Sequence, residues 1–215
     1  MYCRHCKEPL KDLFIDLGHA PPSNAYLSKN TLRKEERYIP LQVYVCQKCW
    51  LVQTSDYINA NELFTKEYAY LSSASSSWLN HSKRYALEVI DRFKLNKKSL
   101  VTEVASNDGY LLKNFKEKGI PCLGIEPTES TALRARELGL DIICDFCSEK
   151  NALKISKEKG NADLVIANNV YAHVPDINDF TLGLKNLMKP FLQRILSQRK
   201  NYSDLGKTWI NNCYN

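Results

Sequence analysis

Two pairs of cysteines near the N-terminus constrain this chain more than any other feature. Cys3 and Cys6 form one C-x-x-C pair, and Cys46 and Cys49 form a second. Two such pairs on a short segment are the sequence form of a tetrahedral four-cysteine zinc site, because each pair supplies two thiolates from one tight turn. Four thiolates leave no coordination position for water, so the pattern predicts a structural zinc ion rather than a catalytic one. The alternatives are four ordinary buried thiols, or a disulfide framework, which nothing in the sequence favours.

The composition and the first residues restrict the class of protein. The chain has 215 residues, a net charge of +6 and 44% hydrophobic residues. Basic residues are mixed with acidic ones, so we expect no nucleic-acid partner, and no apolar run is long enough to span a membrane. The N-terminus lacks the basic start and apolar core of a secretory signal. Eight cysteines without such a signal fit a reducing cytoplasm, and we expect a cytoplasmic monomer.

Hydrophobic patterning predicts four segments. They are a zinc module over 1–60, a helical connector with a Tyr- and Ser-rich start over 61–98, an α/β domain over 99–190 and a divergent tail over 191–215. In the zinc module, short strands are expected near 13–17 and 41–45. In the connector, apolar residues at helical spacing predict a helix from Trp78 to Phe93, with Ser77 as a candidate cap.

The third segment alternates apolar strands with amphipathic helices. Its strands are predicted at 100–105, 122–127, 141–144 and 162–168. Such alternation is typical of βαβ units and a parallel sheet.

The first strand of that predicted sheet ends in a polar segment, at the place where a doubly wound fold binds nucleotide-type ligands. It contains Glu103, Ser106, Asn107 and Gly109 and runs into a helix, and the second strand ends at Glu126. An acid at that position can accept hydrogen bonds from both ribose hydroxyls. The G-x-G-x-x-G fingerprint for pyrophosphate is absent, which argues against NAD or FAD and favours a ligand such as S-adenosylmethionine. The alternative is a strand–turn–helix with no ligand.

Two later strand ends add candidate residues. Asp145 and Phe146 follow the third strand, where an acid and an aromatic ring suit adenine, although a solvated loop with a core Phe is the alternative. Asn168 and His173 follow the fourth strand; His173 is a candidate base, and a structural histidine is the alternative. A third pair, Cys144-x-x-Cys147, has no second pair to complete a metal site and is interpreted as coincidental.

Together, these motifs resemble those of the zinc-containing sugar C-methyltransferases, which act on nucleotide-linked keto-deoxysugars, typically dTDP-sugars. The resemblance covers residues 1 to about 190 in order and spacing. Beyond the cysteine pairs, it rests on E-Y-A-Y-L-S-S from Glu67, E-V-A-S-N-D-G-Y-L-L from Glu103, G-I-E-P ending at Pro127 and N-N-V-Y-A-H-V-P-D ending at Asp176.

The resemblance implies a Rossmann-like domain that binds S-adenosylmethionine and a nucleotide-sugar substrate. It implies catalytic roles for Tyr68, which would help to place the sugar, and His173, which would lie beside the reacting carbon. A proton leaves a carbon alpha to the ketone, and the enolate carbon attacks the sulfonium methyl, which needs a base and donors for the enolate oxygen. The implied cofactor-binding residues are Tyr70, Ser73, Glu103, Ser106, Asn107, Gly109, Glu126, Asp145, Phe146 and Asn168.

The last residues depart from the family pattern. After Lys189-Pro190 the family continues with a further strand, a catalytic segment and another domain, whereas this chain ends in a tail without such a segment. We therefore expect a C-terminally truncated member with an incomplete sheet and little or no turnover. The alternative functions are a non-catalytic zinc-containing module that binds S-adenosylmethionine or a nucleotide, and a zinc-ribbon adaptor for nucleic acid or protein.

Overall fold

A computed structural model describes residues 1–55, 58–64 and 68–190. The chain forms two compact units, Met1–Tyr70 with Pro175–Asn178, and Leu71–Val174 with the described residues from Asp179 onward. The segment boundaries expected from the sequence stay a prediction, and the divergent tail over 191–215 lies outside the described residues. Within the described ranges, no helix is both long enough and apolar enough to cross a bilayer.

The first unit contains a three-stranded antiparallel sheet in the order β1-β2-β3. Its elements are β1 Asp12–Ala20, β2 Ile39–Val45, β3 Val52–Thr54 and a short helix, α1 Ala60–Leu63. The two strands expected here are present, and β1 is longer than predicted. Two register shifts interrupt its pairing with β2, and one of them spans Gly18, whose φ is 81° and whose amide donates to Asp16 Oδ1 at 2.8 Å. Such bulges strengthen the twist of a short sheet.

The second unit is built on a four-stranded parallel sheet in the order β6-β5-β4-β7, which confirms the predicted α/β fold class. The strands are β4 Val101–Val104, β5 Cys122–Ile125, β6 Asp141–Ile143 and β7 Leu164–Ile166. The helices are α2 Ser76–Phe93, α3 Leu112–Glu117, α4 Glu129–Glu137, α5 Glu149–Lys159 and α6 Ile177–Leu187. Because the order reverses beside β4, the carboxyl ends of β4 and β7 flank the switch point at which such sheets bind ligands.

Two hydrophobic clusters cover the two faces of this sheet. On one face, Val101 and Ile142 pack with Phe115 and side chains of α2, α3 and α4. On the other, Val104 and Ile125 pack with side chains of α5 and α6. A sheet that is buried on both faces needs strands that read as continuous apolar runs, which is the pattern that predicted it.

The cap of α2 differs from the prediction. The N-cap is Ser75, whose side chain accepts a hydrogen bond from the amide of Trp78, while Ser77 lies inside the helix. The serine-rich stretch offers several candidates of equal propensity, and only Ser75 has the extended backbone, with φ −102° and ψ 118°, that an N-cap requires.

Candidate functional site

The four predicted zinc ligands form one cluster in the first unit. The sulfur atoms of Cys3, Cys6, Cys46 and Cys49 all lie within 4.8 Å of one another. Two pairs are 3.6 Å (Cys3 to Cys49) and 3.5 Å (Cys6 to Cys46) apart. A tetrahedral zinc ion with Zn–S bonds of about 2.3 Å separates its sulfurs by about 3.8 Å. The donor set therefore fits zinc with a closed coordination shell.

The two cysteine turns have the same backbone geometry. In the first, the amide of Lys7 donates to the carbonyl of Cys3 at 3.0 Å, and in the second, Trp50 donates to Cys46 at 2.9 Å. Lys7 and Trp50 occupy the same place in their turns and have left-handed φ angles of 61° and 62°. This shared turn aims both thiols of each pair at one point, which is why the short C-x-x-C spacing was informative.

The thiols need a cation to ionise together. Burial raises the pKa of Cys3, but hydrogen bonds from the backbone at Cys6 and from the side chain of Gln53 outweigh it and bring that pKa to about 6. Burial and the neighbouring sulfurs raise the pKa of Cys49 to about 12. Four adjacent thiolates thus repel one another, and a bound dication removes that cost.

Gln53 is a contact of this cluster that the sequence reasoning missed. Its side chain is buried, its Nε2 donates to Cys3 Sγ at 3.3 Å, and its Oε1 accepts from the amide of Arg4 at 2.9 Å. No local signal singles out this glutamine, because it lies four residues beyond the second cysteine pair, in β3.

In the second unit, the loop after β4 and the acid after β5 form the core of the candidate site. The amide of Asn107 donates to Glu126 Oε2, and the amide of Thr128 donates to Glu126 Oε1, both at 2.9 Å. Each oxygen of this buried carboxylate keeps a lone pair for a further donor. The structure therefore brings together Asn107 and Glu126, two of the predicted cofactor-binding residues, with Thr128, and their role in cofactor binding stays a prediction.

The loop after β4 has an unusual backbone. Ala105 and Asn107 have φ angles of 58° and 50°, and Gly109 has a φ of 78°. Non-glycine residues adopt this region at an energetic cost, and such residues concentrate at functional sites. A Cβ at Gly124 in β5 would collide with Ile142 and with Ser106 Oγ, so the close packing of Ser106 requires glycine in the neighbouring strand.

The segment Leu71–Ala74 packs on this loop. The amide of Ser72 donates to Asn107 Oδ1 at 2.9 Å, and the amide of Ser73 donates to Asp108 Oδ2 at 3.1 Å. The contribution of Ser73 seen here is thus a backbone hydrogen bond to Asp108. Asp108 and Ser72 belong to the quoted motifs but were not among the predicted site residues.

The remaining candidates of the second unit follow β6 and β7. Asp145 and Phe146 follow β6 and are exposed, and Asp145 Oδ1 accepts from the amide of Phe146 at 2.7 Å. Phe146 is thus not the core residue of the alternative interpretation. Asn168 follows β7 and is half-buried, and His173 is exposed in a 3₁₀ turn, Tyr171–His173. The cofactor and catalytic roles of these residues stay predictions.

Two predicted residues belong to the first unit. The ring of Tyr68 lies 5.3 Å from that of Phe64, and Tyr70 is half exposed. Their predicted roles over the cofactor and sugar stay predictions, and Glu67 of the same motif lies outside the described residues. In the part of the chain that the structure describes, Cys144 and Cys147 join no cluster of metal-ligating side chains.

Comparisons with known proteins find one family model and one curated relative that match this chain. Residues 3–64 match the family model Methyltransf_13, described as "Putative zinc binding domain". The chain is also 28% identical over 188 residues to the C-methyltransferase NovU of Streptomyces niveus. The chain resembles zinc-containing C-methyltransferases. The resemblance predicted from the motifs is therefore confirmed at this level.

The match to NovU covers 87% of this chain and 44% of NovU, so the chain spans less than half the length of that relative. Among solved structures, similar chains include a SAM-dependent methyltransferase from Anabaena variabilis (TM-score 0.43, 19% identity, 52% of this chain and 49% of that one). Magnesium protoporphyrin IX methyltransferase from Synechocystis is similar with a TM-score of 0.40 at 16% identity, over 53% of this chain and 57% of that one.

Proposed function

We propose that the second unit binds S-adenosylmethionine and serves the C-methylation of a nucleotide-linked keto-deoxysugar. The observation that carries the proposal is the pair of amide hydrogen bonds that hold the Glu126 carboxylate at the end of β5. A fixed, buried carboxylate at that position suits the two hydroxyls of a ribose. The neighbouring loop has no pyrophosphate fingerprint, which supports a nucleoside ligand without pyrophosphate.

The other residues after the strands support the same ligand. Phe146 offers an exposed ring beside the Asp145 carboxylate, a combination that suits stacking and hydrogen bonding of adenine. The bound cofactor supplies an electrophilic methyl group on a sulfonium. His173, exposed in its turn after β7, is available as the base that removes a proton from the sugar carbon. The sugar as substrate rests on the motif resemblance, and C-methylation rests also on the match to NovU.

The closed sulfur cluster gives the first unit a structural part in this proposal. Zinc held by four thiolates has no open position for a substrate or water, so it serves as a staple for a small sheet. The chemistry is accordingly assigned to the second unit.

Calorimetric titration of the zinc-loaded chain with S-adenosylhomocysteine tests the proposal. We expect saturable binding that Glu126→Gln weakens at least about tenfold, because an amide cannot accept from both backbone N–H groups and a ribose. Glu137→Gln, an exposed acid at the end of α4, is the matched control and should leave binding unchanged. A folded chain that does not bind would overturn the proposal.

Transfer of a labelled methyl group from S-adenosylmethionine to a dTDP-linked keto-deoxysugar tests the chemistry separately. Incorporation that is lost with His173→Gln would support the proposed base. Tight cofactor binding without incorporation would favour the alternative, a non-catalytic zinc-containing binding module.

A further inference from the structure

Glu103 is the most enclosed acid in the described part of the chain. It occupies the third position of β4 and is 1% exposed, and neither carboxylate oxygen makes a hydrogen bond of good geometry among the described residues, although the Tyr110 phenol interacts with it. Its register partners in the adjacent strands are Gly124 in β5 and Ile166 in β7, which bring no charge. A carboxylate anion left in this condition carries a large desolvation cost.

The ionisable groups around Glu103 add to that cost. Burial, first of all, raises its pKa well above the ordinary value, and repulsion from Glu126 and Asp108 raises it further. A hydrogen bond from the phenol of Tyr110, in the turn before α3, lowers the pKa of Glu103 and is outweighed. The Cys122 thiol at the start of β5 also feels the charge of Glu103 but is not itself a cation.

Other buried acceptors at this strand end are also unsatisfied. Asp108 Oδ1 and Ser106 Oγ have no partner within the described ranges, and both residues are more than nine-tenths buried. A group of unsatisfied oxygens beside three acids calls for a ligand that brings N–H donors and positive charge together. The ammonium group of S-adenosylmethionine or S-adenosylhomocysteine has both properties, with three donors on one cation.

We propose that Glu103 is a neutral carboxylic acid in the free protein and releases its proton to solvent when the ammonium group of the cofactor binds. This inference rests on the proposed function, because it takes the cofactor as the ligand of the site. The balance is simple: the ammonium keeps its protons, the Glu103 O–H bond breaks, one proton passes to the buffer, and a carboxylate faces a cation. The cofactor site is thereby coupled to pH.

The sign of this coupling follows from linkage. The free form holds one proton more than the complex, so cofactor affinity rises with pH, by up to about tenfold per pH unit while Glu103 is protonated in the free protein. The same neutral acid affects folding in the opposite sense. The unfolded chain loses the proton near the ordinary glutamate pKa of 4.5, so the contribution of Glu103 to the stability of the free protein is fully present below that pH. That contribution declines as the pH rises towards the raised pKa of the folded state.

Calorimetry at neutral pH in buffers with different ionisation enthalpies counts the released protons. Two probes separate the parts of the ligand: S-adenosylhomocysteine carries the ammonium group, whereas 5′-methylthioadenosine keeps the adenine, ribose and sulfur but lacks the amino-acid part. We expect binding of S-adenosylhomocysteine to release about one proton and binding of 5′-methylthioadenosine to release none. Glu103→Gln should abolish the release, while Glu88→Gln, an exposed acid of α2, should leave it unchanged.

The outcomes are distinct. Binding of S-adenosylhomocysteine without proton release, or equal release with 5′-methylthioadenosine, would overturn the proposal and leave the cofactor assignment intact. A folded chain that binds neither compound would remove the cofactor assignment and this proposal with it. If Glu103→Gln fails to fold, infrared difference spectra of the unmodified chain still decide, because the carbonyl band of a protonated carboxyl group must disappear on binding of S-adenosylhomocysteine.

Discussion

Different interactions stabilise the two units of this chain. In the described part of the first unit, Cys3 and Cys46 are the only buried residues of the hydrophobic class, while the large side chains of Phe14 and Leu17 in β1 are more than half exposed. The second unit buries two hydrophobic clusters on opposite faces of its sheet. One unit thus has a sulfur cluster where the other has an apolar core.

The difference shows what a metal contributes to a small sheet. An antiparallel sheet of three short strands cannot bury enough apolar surface to offset the conformational entropy lost on folding. Zinc binding adds its free energy directly to folding, because the unfolded chain has no preformed site. The second unit needs no such staple, since each of its strands is covered on both faces.

Removal of the metal should have the largest effect, because it should destabilise only the first unit. We expect chelation of zinc, or Cys46→Ser, to unfold the first unit and leave the second folded, because structural zinc supplies roughly 10–16 kcal/mol in small zinc-binding peptides. Hydrogen exchange read by mass spectrometry should show protection lost in residues 1–55 and kept in residues 101–166. Cys144→Ser, outside the cluster, is the control. Persistent protection of the first unit after chelation would contradict the metal's role.

A core truncation should have the reverse pattern. Phe115 in α3 is fully buried in the first hydrophobic cluster, so Phe115→Ala should destabilise the second unit by about 3–5 kcal/mol. Phe93→Ala at the end of α2 makes the same change at a side chain that is 55% exposed, and should cost about 1 kcal/mol or less. Urea unfolding of the zinc-loaded chain measures both, and zinc content should be unchanged. Equal losses from the two variants would mean that the described core does not carry the stability.

The two units also differ in how far the sequence predicted them. The zinc ligands could be predicted from the sequence because each cysteine pair lies within one turn of chain. The sheet could be predicted because buried parallel strands are continuous apolar runs. The cap of α2 could not be predicted, because Ser75 and Ser77 have equal propensity and the choice between them depends on the backbone that enters the helix.

The candidate site shows the same limit more sharply. Glu103 lies inside β4 and Glu126 directly follows β5, and both were predicted from the sequence to bind the cofactor. In the structure, Glu126 accepts hydrogen bonds from two backbone N–H groups, while Glu103 makes no hydrogen bond of good geometry among the described residues. The left-handed backbone of Ala105 and Asn107 decides which amides point at which acid, and no propensity predicts that conformation for alanine.

Substitution of Gln53 should have the smallest of these effects, a change in zinc affinity that is confined to the first unit. Gln53 donates to Cys3 Sγ and accepts from the amide of Arg4, so it orients a zinc ligand without being a ligand itself. We expect Gln53→Leu to lower zinc affinity about 10- to 100-fold, the usual cost of losing an outer hydrogen bond to a ligand, with the second unit unaffected. Competition with a chromophoric chelator measures the affinity.

Gln42→Leu is the matched control for this change. Gln42 lies in β2 of the same small sheet, bonds to Asp16 and Tyr44, and makes no hydrogen bond to any cysteine that the structure describes. It should therefore change zinc affinity little even if it loosens the sheet. If the two leucine variants lose zinc affinity equally, that affinity depends on the stability of the sheet as a whole. If only Gln53→Leu loses it, the hydrogen bond from one buried side-chain amide to Cys3 sets the zinc affinity of the cluster that stabilises this unit.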